Sequence, residues 1–404
     1  MRFLPPSATP TAKLILITRG MRSIADGCIS VLLPAYLLGL GFDALQVGVL
    51  TTATLLGSAL LTLGVGFYGT HAGVRTLLLA TSLLMLATGM GFAAVSGFWP
   101  LMLVAFVGTL NPSAGDVSVF LPLEQTALSG AIADRERTDL FARYSMVGSL
   151  LGAGGALLAI VPDHLAGLPG ADRITVYQLA FVTYAAVGLL VGSIYHRLPA
   201  DPPMARTTGT APLGPSRGIV FRLAALFSVD AFAGGLVIQS LLALWLFQTF
   251  GLSVAATAKI FFATNLLSAI SYLVAARIAA RIGLINTMVF THLPANVCLM
   301  IVPFVDDLRF AVALLLVRSL LSQMDVPTRT SYVMAVVTPA ERPAAASVTA
   351  VPRSLASALG PTLGGLLLAA SGFAWPLLLG GALKAAYDLT LLLMFRHVKP
   401  PEER

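Results

Sequence analysis

Apolar residues along the chain form twelve long stretches, which glycine, proline and charged residues separate. Each stretch is long enough for a helix to cross a bilayer. Backbone amides in hydrocarbon must be hydrogen-bonded, and the alternation of barrel strands is absent from the sequence, so we predict transmembrane helices. The twelve predicted spans are 14–40, 45–68, 75–96, 99–127, 139–161, 175–196, 219–249, 253–276, 284–304, 308–337, 345–370 and 374–396.

The composition agrees with an integral membrane protein. Of the 404 residues, 57% are hydrophobic and 11% are charged, against about 25% charged residues in soluble domains. An ordinary soluble enzyme and a disordered chain are therefore excluded. Two cysteines are too few for a disulfide scaffold or a cysteine-rich metal site. We predict no cleaved signal peptide, and the first span then acts as an anchor.

Lysine and arginine residues predict the orientation in the membrane. Seventeen of them, Arg353 included, fall in one set of loops and ends, and three fall in the other. The positive-inside rule therefore places both termini in the cytoplasm. The net charge of +7 is spread over these loops, so we expect lipid as a partner and no nucleic acid. The Ala- and Arg-rich, Lys-poor composition suggests a bacterial inner membrane.

The two halves of the sequence are related by a repeat. The proline-rich segment 197–217 divides the spans six and six, which predicts bundles at 1–196 and 218–404 with a cytoplasmic linker between them. Matching residues recur about 210 positions apart, and both halves begin on the same side, so the repeat is parallel. The matches are Gly41-Phe42-Asp43 with Gly251-Leu252-Ser253, Gly73 with Gly283, Asp116 with Asp325, and Gly154-Gly155 with Gly364-Gly365.

Twelve helices, a parallel six-plus-six repeat and a basic central loop resemble the major facilitator superfamily (MFS). The resemblance implies an all-α membrane protein of two six-helix bundles. That family has the signature G-x-x-x-D-R-x-G-R-R between helices two and three, in a loop that latches the cytoplasmic gate. In this sequence Thr70 and His71 replace the Asp and the first Arg. The gate-loop residues that the resemblance assigns are Gly66, His71, Gly73 and Arg75, with Arg281 and Gly283 in the second half.

A second family signature, G-x-x-x-G-P-x-x-G-G on helix five, marks proton-driven exporters. Span five lacks its proline, and span eleven carries a closer match. Small residues also let helices pack closely, so we weigh two interpretations, helix packing and an export signature. The residues concerned are Gly148, Gly152, Gly154, Gly155, Gly360, Pro361, Gly364 and Gly365. A third signature, an arginine on helix four, is missing, although span ten has Arg318.

We assign eleven charged residues to membrane depth, where charge is costly and usually faces a cavity or a partner. Nine of them fall on spans one, four, seven and ten, which line the central cavity in the fold that the resemblance implies. Those proposed for a proton and substrate cavity are Arg22, Asp26, Asp116, Glu124, Asp230, Arg318, Asp325 and Arg329; Arg19, Lys384 and Asp388 complete the eleven.

Spacing indicates which of these charges share a helix face. Arg22–Asp26, Asp325–Arg329 and Lys384–Asp388 are each four residues apart, so each predicts either a local ion pair or part of the cavity. For Lys384–Asp388 we favour the ion pair. Asp230 has no basic partner nearby in the sequence. Because burial disfavours the ionised form of a carboxylate, we expect Asp26 and Asp230 to carry protons.

These observations predict a secondary transporter that moves a small solute by alternating access, coupled to protons and working in export. An importer or a uniporter is the alternative, and the mixed charge favours an anionic or amphoteric solute. A channel or a membrane enzyme is the alternative from another class. The sequence has no P-loop and no H-E-x-x-H motif, and His292 stands alone, so we expect no catalytic residue, metal or cofactor. Nothing requires more than a monomer.

Overall fold

The computed structural model describes residues 8–68, 73–112, 118–129, 131–132, 137–199, 213–338 and 341–398. The regular secondary structure of these ranges is helical. The first half contains α1 (Pro10–Gly39), α2 (Ala44–Tyr68), α3 (Val74–Ala94), α4 (Phe98–Val107), α5 (Phe120–Ser129), α6 (Arg137–Leu158), α7 (Ile160–Ala166) and α8 (Arg173–Tyr195). The second half contains α9 (Arg217–Leu236), α10 (Gln239–Phe250), α11 (Val254–Ile282), α12 (Leu284–Ile301), α13 (Leu308–Ser322), α14 (Asp325–Val336), α15 (Arg342–Ala370) and α16 (Trp375–Phe395).

These helices follow the predicted spans. In the described ranges, ten helical segments are long and apolar enough to cross a membrane. The other two predicted spans correspond to α15 and to a divided fourth span, in which α4 ends at Val107 and α5 begins at Phe120. Spans seven and ten are also divided, at Val237–Ile238 and Gln323–Met324. The prediction of an all-helical membrane protein is confirmed.

Matching turns occur at matching positions of the two halves. Gly41 and Gly251 both have positive φ, at 87° and 60°, a conformation that glycine adopts without strain. Asp43 and Ser253 follow as helix N-caps, accepting backbone N–H groups at 2.8 Å and 3.1 Å. The predicted turn and cap are therefore present in both halves.

The apolar core is shared at one end of the bundle and divided at the other. We call the end that carries Pro10 and Phe395 the terminal face, and the end that carries Gly41 and Gly251 the opposite face. One buried cluster joins both halves and includes Leu32, Leu37, Phe181, Leu241, Leu244 and Phe261. Towards the terminal face, each half has a cluster of its own, around Ile15 and Leu140 in the first and around Val289 and Leu391 in the second.

Polar contacts between the halves follow the same division. Gln239 Nε2 donates to Ser30 Oγ at 2.9 Å, and Thr362 Oγ1 donates to Thr52 Oγ1 at 2.8 Å. Asp163 on α7 accepts the backbone N–H of Ala255, in the first turn of α11, at 3.1 Å. All three contacts lie in the part of the bundle nearer the opposite face. In the described residues, no hydrogen bond or ion pair joins the halves at the terminal face.

A single carboxylate fixes the segment that leads into α9. Glu341, just before α15, accepts the Gly214 N–H at 2.6 Å, the Ser216 hydroxyl at 2.7 Å and the Thr338 hydroxyl at 2.8 Å. These bonds, those from Ser216 and Thr338 above all, lower the pKa of Glu341 to about 2. Glu341 is therefore ionised at neutral pH and holds the chain entering α9 against the start of α15.

Candidate functional site

Glu124 is the centre of the charged cluster in the first half. It lies on α5, is fully buried, and forms an ion pair with Arg22 of α1. Tyr144 of α6 donates a hydrogen bond to the same carboxylate, and Tyr195 of α8 donates another at 2.5 Å. The Thr18 hydroxyl adds a longer bond at 3.3 Å. Four helices therefore converge on one carboxylate, and all its ligands are hydrogen-bond donors.

Asp26 lies one helical turn beyond Arg22 and behaves differently. Of the two interpretations of Arg22–Asp26, the ion pair is not the one observed, because Arg22 instead reaches across to Glu124 and stacks over Phe120, 4.0 Å from the ring centroid. Asp26 is only 7% exposed and forms no hydrogen bond or ion pair with any residue that the structure describes. Arg22 and Arg19 are close enough to act on it electrostatically. Among the described residues, Asp26 is therefore a buried carboxylate without a hydrogen-bond or ion-pair partner.

Asp230 on α9 is the centre of the cluster in the second half. Lys384 of α16 binds one carboxylate oxygen at 2.6 Å, and Arg329 of α14 binds the other at 3.1 Å. Arg329 also pairs with Asp325 at 3.2 Å, so of the two interpretations of this i,i+4 spacing the ion pair is the one observed. Asp230 has no basic partner nearby in the sequence, and its partners come from two other helices, which sequence spacing does not show.

Asp388 has partners of its own on α12. His292 Nδ1 and Asn296 Nδ2 each lie 2.9 Å from one of its carboxylate oxygens. The predicted Lys384–Asp388 ion pair is therefore wrong, because the two side chains turn to different neighbouring helices. The sequence shows His292 and Asn296 only as isolated polar residues, so the site that they form with Asp388 becomes visible only in the structure.

Arg353 and Tyr387 were missed as members of the second cluster. Arg353 was counted among the loop residues, but α15 begins at Arg342 and places it three turns inside the helix. Its guanidinium lies within electrostatic range of Arg329, Asp230 and Tyr387. In the described residues its Nε is buried without a hydrogen-bond partner, and so is the Tyr387 hydroxyl. Arg353 also lies inside the predicted span 345–370, so its assignment to the cytoplasmic loops was wrong.

Other predicted site residues lie apart from the two clusters. Arg318 on α13 is partly exposed, and its Nε has no hydrogen-bond partner in the described part of the chain. Cys298 on α12 lies within electrostatic range of it. Asp116 and His71 lie outside the described residues.

The predicted gate-loop residues lie at helix ends. Gly66 is in the last turn of α2, and Gly73 is the N-cap of α3. Arg75 contacts His196, after α8, with 3.4 Å between Nη2 and Nδ1. In the second half, Arg281 is in the last turn of α11, and Gly283 joins α11 to α12 with a φ of 86°.

The glycine pattern of α6 and α15 forms close helix contacts. A Cβ on Gly152 or Gly155 would point at α1, and at Gly155 it would overlap the backbone of Ile24. Gly148 leaves the space that the Arg19 guanidinium occupies, whereas Gly154 has open space around it.

The glycines of α15 make the equivalent contacts in the second half. Gly360 and Gly364 meet α9 near Gly235 and Leu236, and Gly365 meets α2 at Gly48. Pro361 adds its carbonyl oxygen to the α2 contact and lies within α15. The packing interpretation of the glycine signature is therefore supported by contacts in both halves.

The two charged clusters occupy equivalent helices. The first draws on spans one, four, five and six, and the second on spans seven, ten, eleven and twelve. Each is centred on a carboxylate with donors from other helices. A buried cluster of this kind can hold helices together, exchange a proton or bind a charged group. Side chains of the cluster that lack a hydrogen-bond partner in the described residues are the ones available to exchange a proton or to bind a charged group.

Comparisons with known proteins agree with this architecture. The family model described as "Major Facilitator Superfamily" matches residues 15–322. A yeast protein, the uncharacterised membrane protein YJR124C of Saccharomyces cerevisiae, is 22% identical over 341 residues, which cover 75% of this chain and 76% of the yeast protein.

Solved transporter structures share the fold. The bacterial homologue of the human lysosomal transporter Spinster, in an inward-facing and occupied conformation, has a TM-score of 0.74 with 14% identity, covering 97% of each chain. The nucleoside transporter NupG has a TM-score of 0.72 with 11% identity over 96% of this chain and 100% of its own. The human organic anion transporter MFSD10 has a TM-score of 0.66 with 16% identity over 96% of this chain and all of its own.

Proposed function

Because the chain belongs to the major facilitator superfamily, we propose that it is a proton-coupled secondary transporter that exports a small solute by alternating access. The family and the transporter structures that share its fold indicate a transporter rather than an enzyme. Proton coupling, export and the class of solute are our proposals.

The observation that carries the proton coupling is the unliganded state of Asp26. A carrier carboxylate must be able to gain and lose a proton during the cycle, and cations that bind it directly favour its ionised form. Glu124 and Asp230 are each held by at least one cation, whereas Asp26 is buried without a hydrogen bond in the described residues. We therefore assign the carrier role to Asp26 and a structural role to Asp230.

The division of the core supports alternating access. The halves are joined near the opposite face and have separate apolar clusters at the terminal face. With both termini in the cytoplasm, as the distribution of lysine and arginine predicts, this arrangement is the inward-facing one. Rocking of one half against the other would then expose the charged clusters to the other side of the membrane.

The remaining parts of the proposal rest on sequence features. Export follows the glycine signature of α6 and α15, although the same glycines also pack helices. An anionic or amphoteric solute suits the mixture of arginine, lysine and carboxylate side chains. We propose a monomer in a cellular membrane; the bacterial inner membrane stays a prediction from composition, and the yeast relative shows that similar chains also occur in a eukaryote.

Solute-driven proton movement in proteoliposomes tests the proposal. Vesicles with an internal pH dye are loaded with an anionic, zwitterionic or cationic solute and diluted into solute-free buffer. Asp26→Asn removes the proposed carrier, and Asp306→Asn, in an exposed loop, is the matched control. We expect a solute-dependent pH change in the wild type and in Asp306→Asn, and none in Asp26→Asn. Acidification inside accompanies solute efflux by antiport, and alkalinisation accompanies symport.

Two results would contradict the proposal. Exchange of labelled solute without any pH change in the wild type would identify a uniporter. A pH change of wild-type size in Asp26→Asn would show that another group carries the proton. Alkalinisation inside the vesicles, which indicates symport, would by contrast support proton coupling but favour an importer over an exporter.

A further inference from the structure

Two polar groups of the second cluster lack partners. The Arg353 Nε and the Tyr387 hydroxyl are both buried, and neither has a hydrogen bond in the described residues. Buried polar groups in proteins nearly always have a partner, so each exception calls for an explanation. A guanidinium only donates hydrogen bonds, so the partner that Arg353 lacks is an acceptor, and a phenol hydroxyl can donate to the same acceptor.

The position of Arg353 explains why the protein itself does not supply that acceptor. Arg353 lies one turn before Ser357, whose carbonyl oxygen meets α9 at Gly235, and Asp230 lies at the corresponding level of α9. Lys384 and Arg329 already occupy both oxygens of Asp230. Three cations therefore lie near the two carboxylates Asp230 and Asp325. Lys384 and Arg329 form ion pairs with them, and the guanidinium of Arg353 forms none in the described residues.

Neighbouring groups limit what can enter. Asp388, the next carboxylate on α16, is bound by His292 and Asn296. Tyr387 packs between Phe227 and His292, with ring centroids 6.3 Å and 6.2 Å away, so its hydroxyl is held beside the cluster. Arg353 itself is partly exposed, which leaves part of its side chain accessible to a solute.

We propose that Arg353 and Tyr387 form a subsite for the carboxylate group of a small solute. The planar guanidinium can bind both oxygens of a carboxylate, and the phenol hydroxyl can donate a further bond. This subsite deepens the proposed transport function and rests on it, since it names the class of solute that the second half recognises.

Binding to the purified full-length protein in detergent tests the subsite without any proton gradient. The probes are benzoate and nicotinate, each paired with its neutral amide, at equal ionic strength. A ligand that binds only the folded state raises the unfolding midpoint according to its concentration and affinity. We expect a carboxylate to raise the midpoint more than its amide does. Arg353→Gln should weaken this carboxylate-specific binding at least tenfold, and Tyr387→Phe should weaken it by a smaller factor.

Control variants separate the subsite from general charge and from misfolding. Arg396→Gln removes an exposed cation at the end of α16 and should leave the carboxylate effect unchanged. Arg353→Lys keeps the charge but loses the planar fork, so binding should be intermediate. Because the Arg353 Nε has no hydrogen-bond partner in the described residues, its removal strands no partner there, and Arg353→Gln without ligand should unfold at or above the wild-type temperature.

The proposal is overturned if neither carboxylate stabilises the protein more than its amide, or if the preference persists in Arg353→Gln. If the stronger stabilisation by the carboxylate than by its amide is lost in Arg318→Gln but kept in Arg353→Gln, the anion binds at α13 instead. Failure of proton coupling would not affect this assay, because the measurement contains no gradient. The two proposals can therefore fail independently.

Discussion

Asp230 and Asp26 are both buried carboxylates, yet the structure predicts opposite effects of their removal. Asp230→Asn would remove the ion-pair partner of Lys384 and one of the two ion-pair partners that Arg329 has in the described residues; these side chains are 10% and 8% exposed. Removing one partner of a buried ion pair costs about 3–5 kcal/mol, because the other charge stays buried without compensation. Asp26→Asn removes a charge that has no ligand, so its cost should be near zero or favourable.

The loss can be converted into an unfolding temperature. At about 2.1 cal/mol/K per residue, a half of roughly 190 residues that unfolds as one unit has an unfolding entropy of about 0.4 kcal/mol/K. A loss of about 3–5 kcal/mol then lowers the midpoint by about 7–12 °C. We expect this fall in Asp230→Asn and a change of less than about 2 °C in Asp26→Asn.

Thermal unfolding of the purified protein in one detergent, at one scan rate, measures both variants. A fixed scan rate is needed because large proteins commonly unfold irreversibly. The double variant Asp230→Asn, Lys384→Gln tests the cause, since it leaves Arg329 paired with Asp325 alone. We expect the double variant to be more stable than Asp230→Asn. A wild-type midpoint in Asp230→Asn, or a further fall in the double variant, would refute the assignment of Asp230 as a structural centre.

Three further predictions concern helix contacts and caps. Gly155→Ala should sharply reduce the monodisperse fraction in size-exclusion chromatography because its Cβ meets the α1 backbone, whereas Gly154→Ala should resemble the wild type; equal profiles would contradict the packing role. Since the pKa of Glu341 is lowered to about 2, its stabilising contribution is complete above about pH 4.5 and is lost as pH falls towards 2. Limited proteolysis by pepsin should therefore show cleavage before α9 that increases as the pH falls through that window. Cleavage of Glu341→Gln equal to that of the wild type throughout the window would contradict this prediction. Gln239→Leu removes the bond to Ser30 and should increase the labelling of cysteines introduced at the opposite face.

The sequence predicted the helices well because the bilayer imposes a simple rule on composition. Any segment that crosses hydrocarbon needs about 20 apolar residues, and this requirement does not depend on neighbouring helices. The repeat was equally visible, and the caps Asp43 and Ser253 confirm it at the level of single hydrogen bonds. The breaks in spans four, seven and ten were not predicted, because the spans were drawn from their overall apolar length, and short polar or glycine- and proline-containing segments within them were included.

Partners in the charged clusters could be predicted only within a single helix. The i,i+4 rule found Asp325–Arg329 but also suggested Lys384–Asp388, whose members bind Asp230 and His292 instead. Spacing identifies the face of a helix, whereas the choice of partner depends on which helix lies opposite. Tyr144 and Tyr195 were missed for the same reason, since nothing in the sequence links them to Glu124 on α5.

The divided core has a consequence for how temperature acts on the protein. Exposing apolar surface raises the heat capacity by about 0.45 cal/K/mol per Å². If rocking separates the shared cluster at the opposite face while it joins the two clusters around Ile15 and Val289, the exposed and the buried areas offset each other. The equilibrium between the two conformations would then have almost no heat-capacity change and would shift little on warming. Opening at one face without closure at the other would instead give a strongly curved temperature dependence.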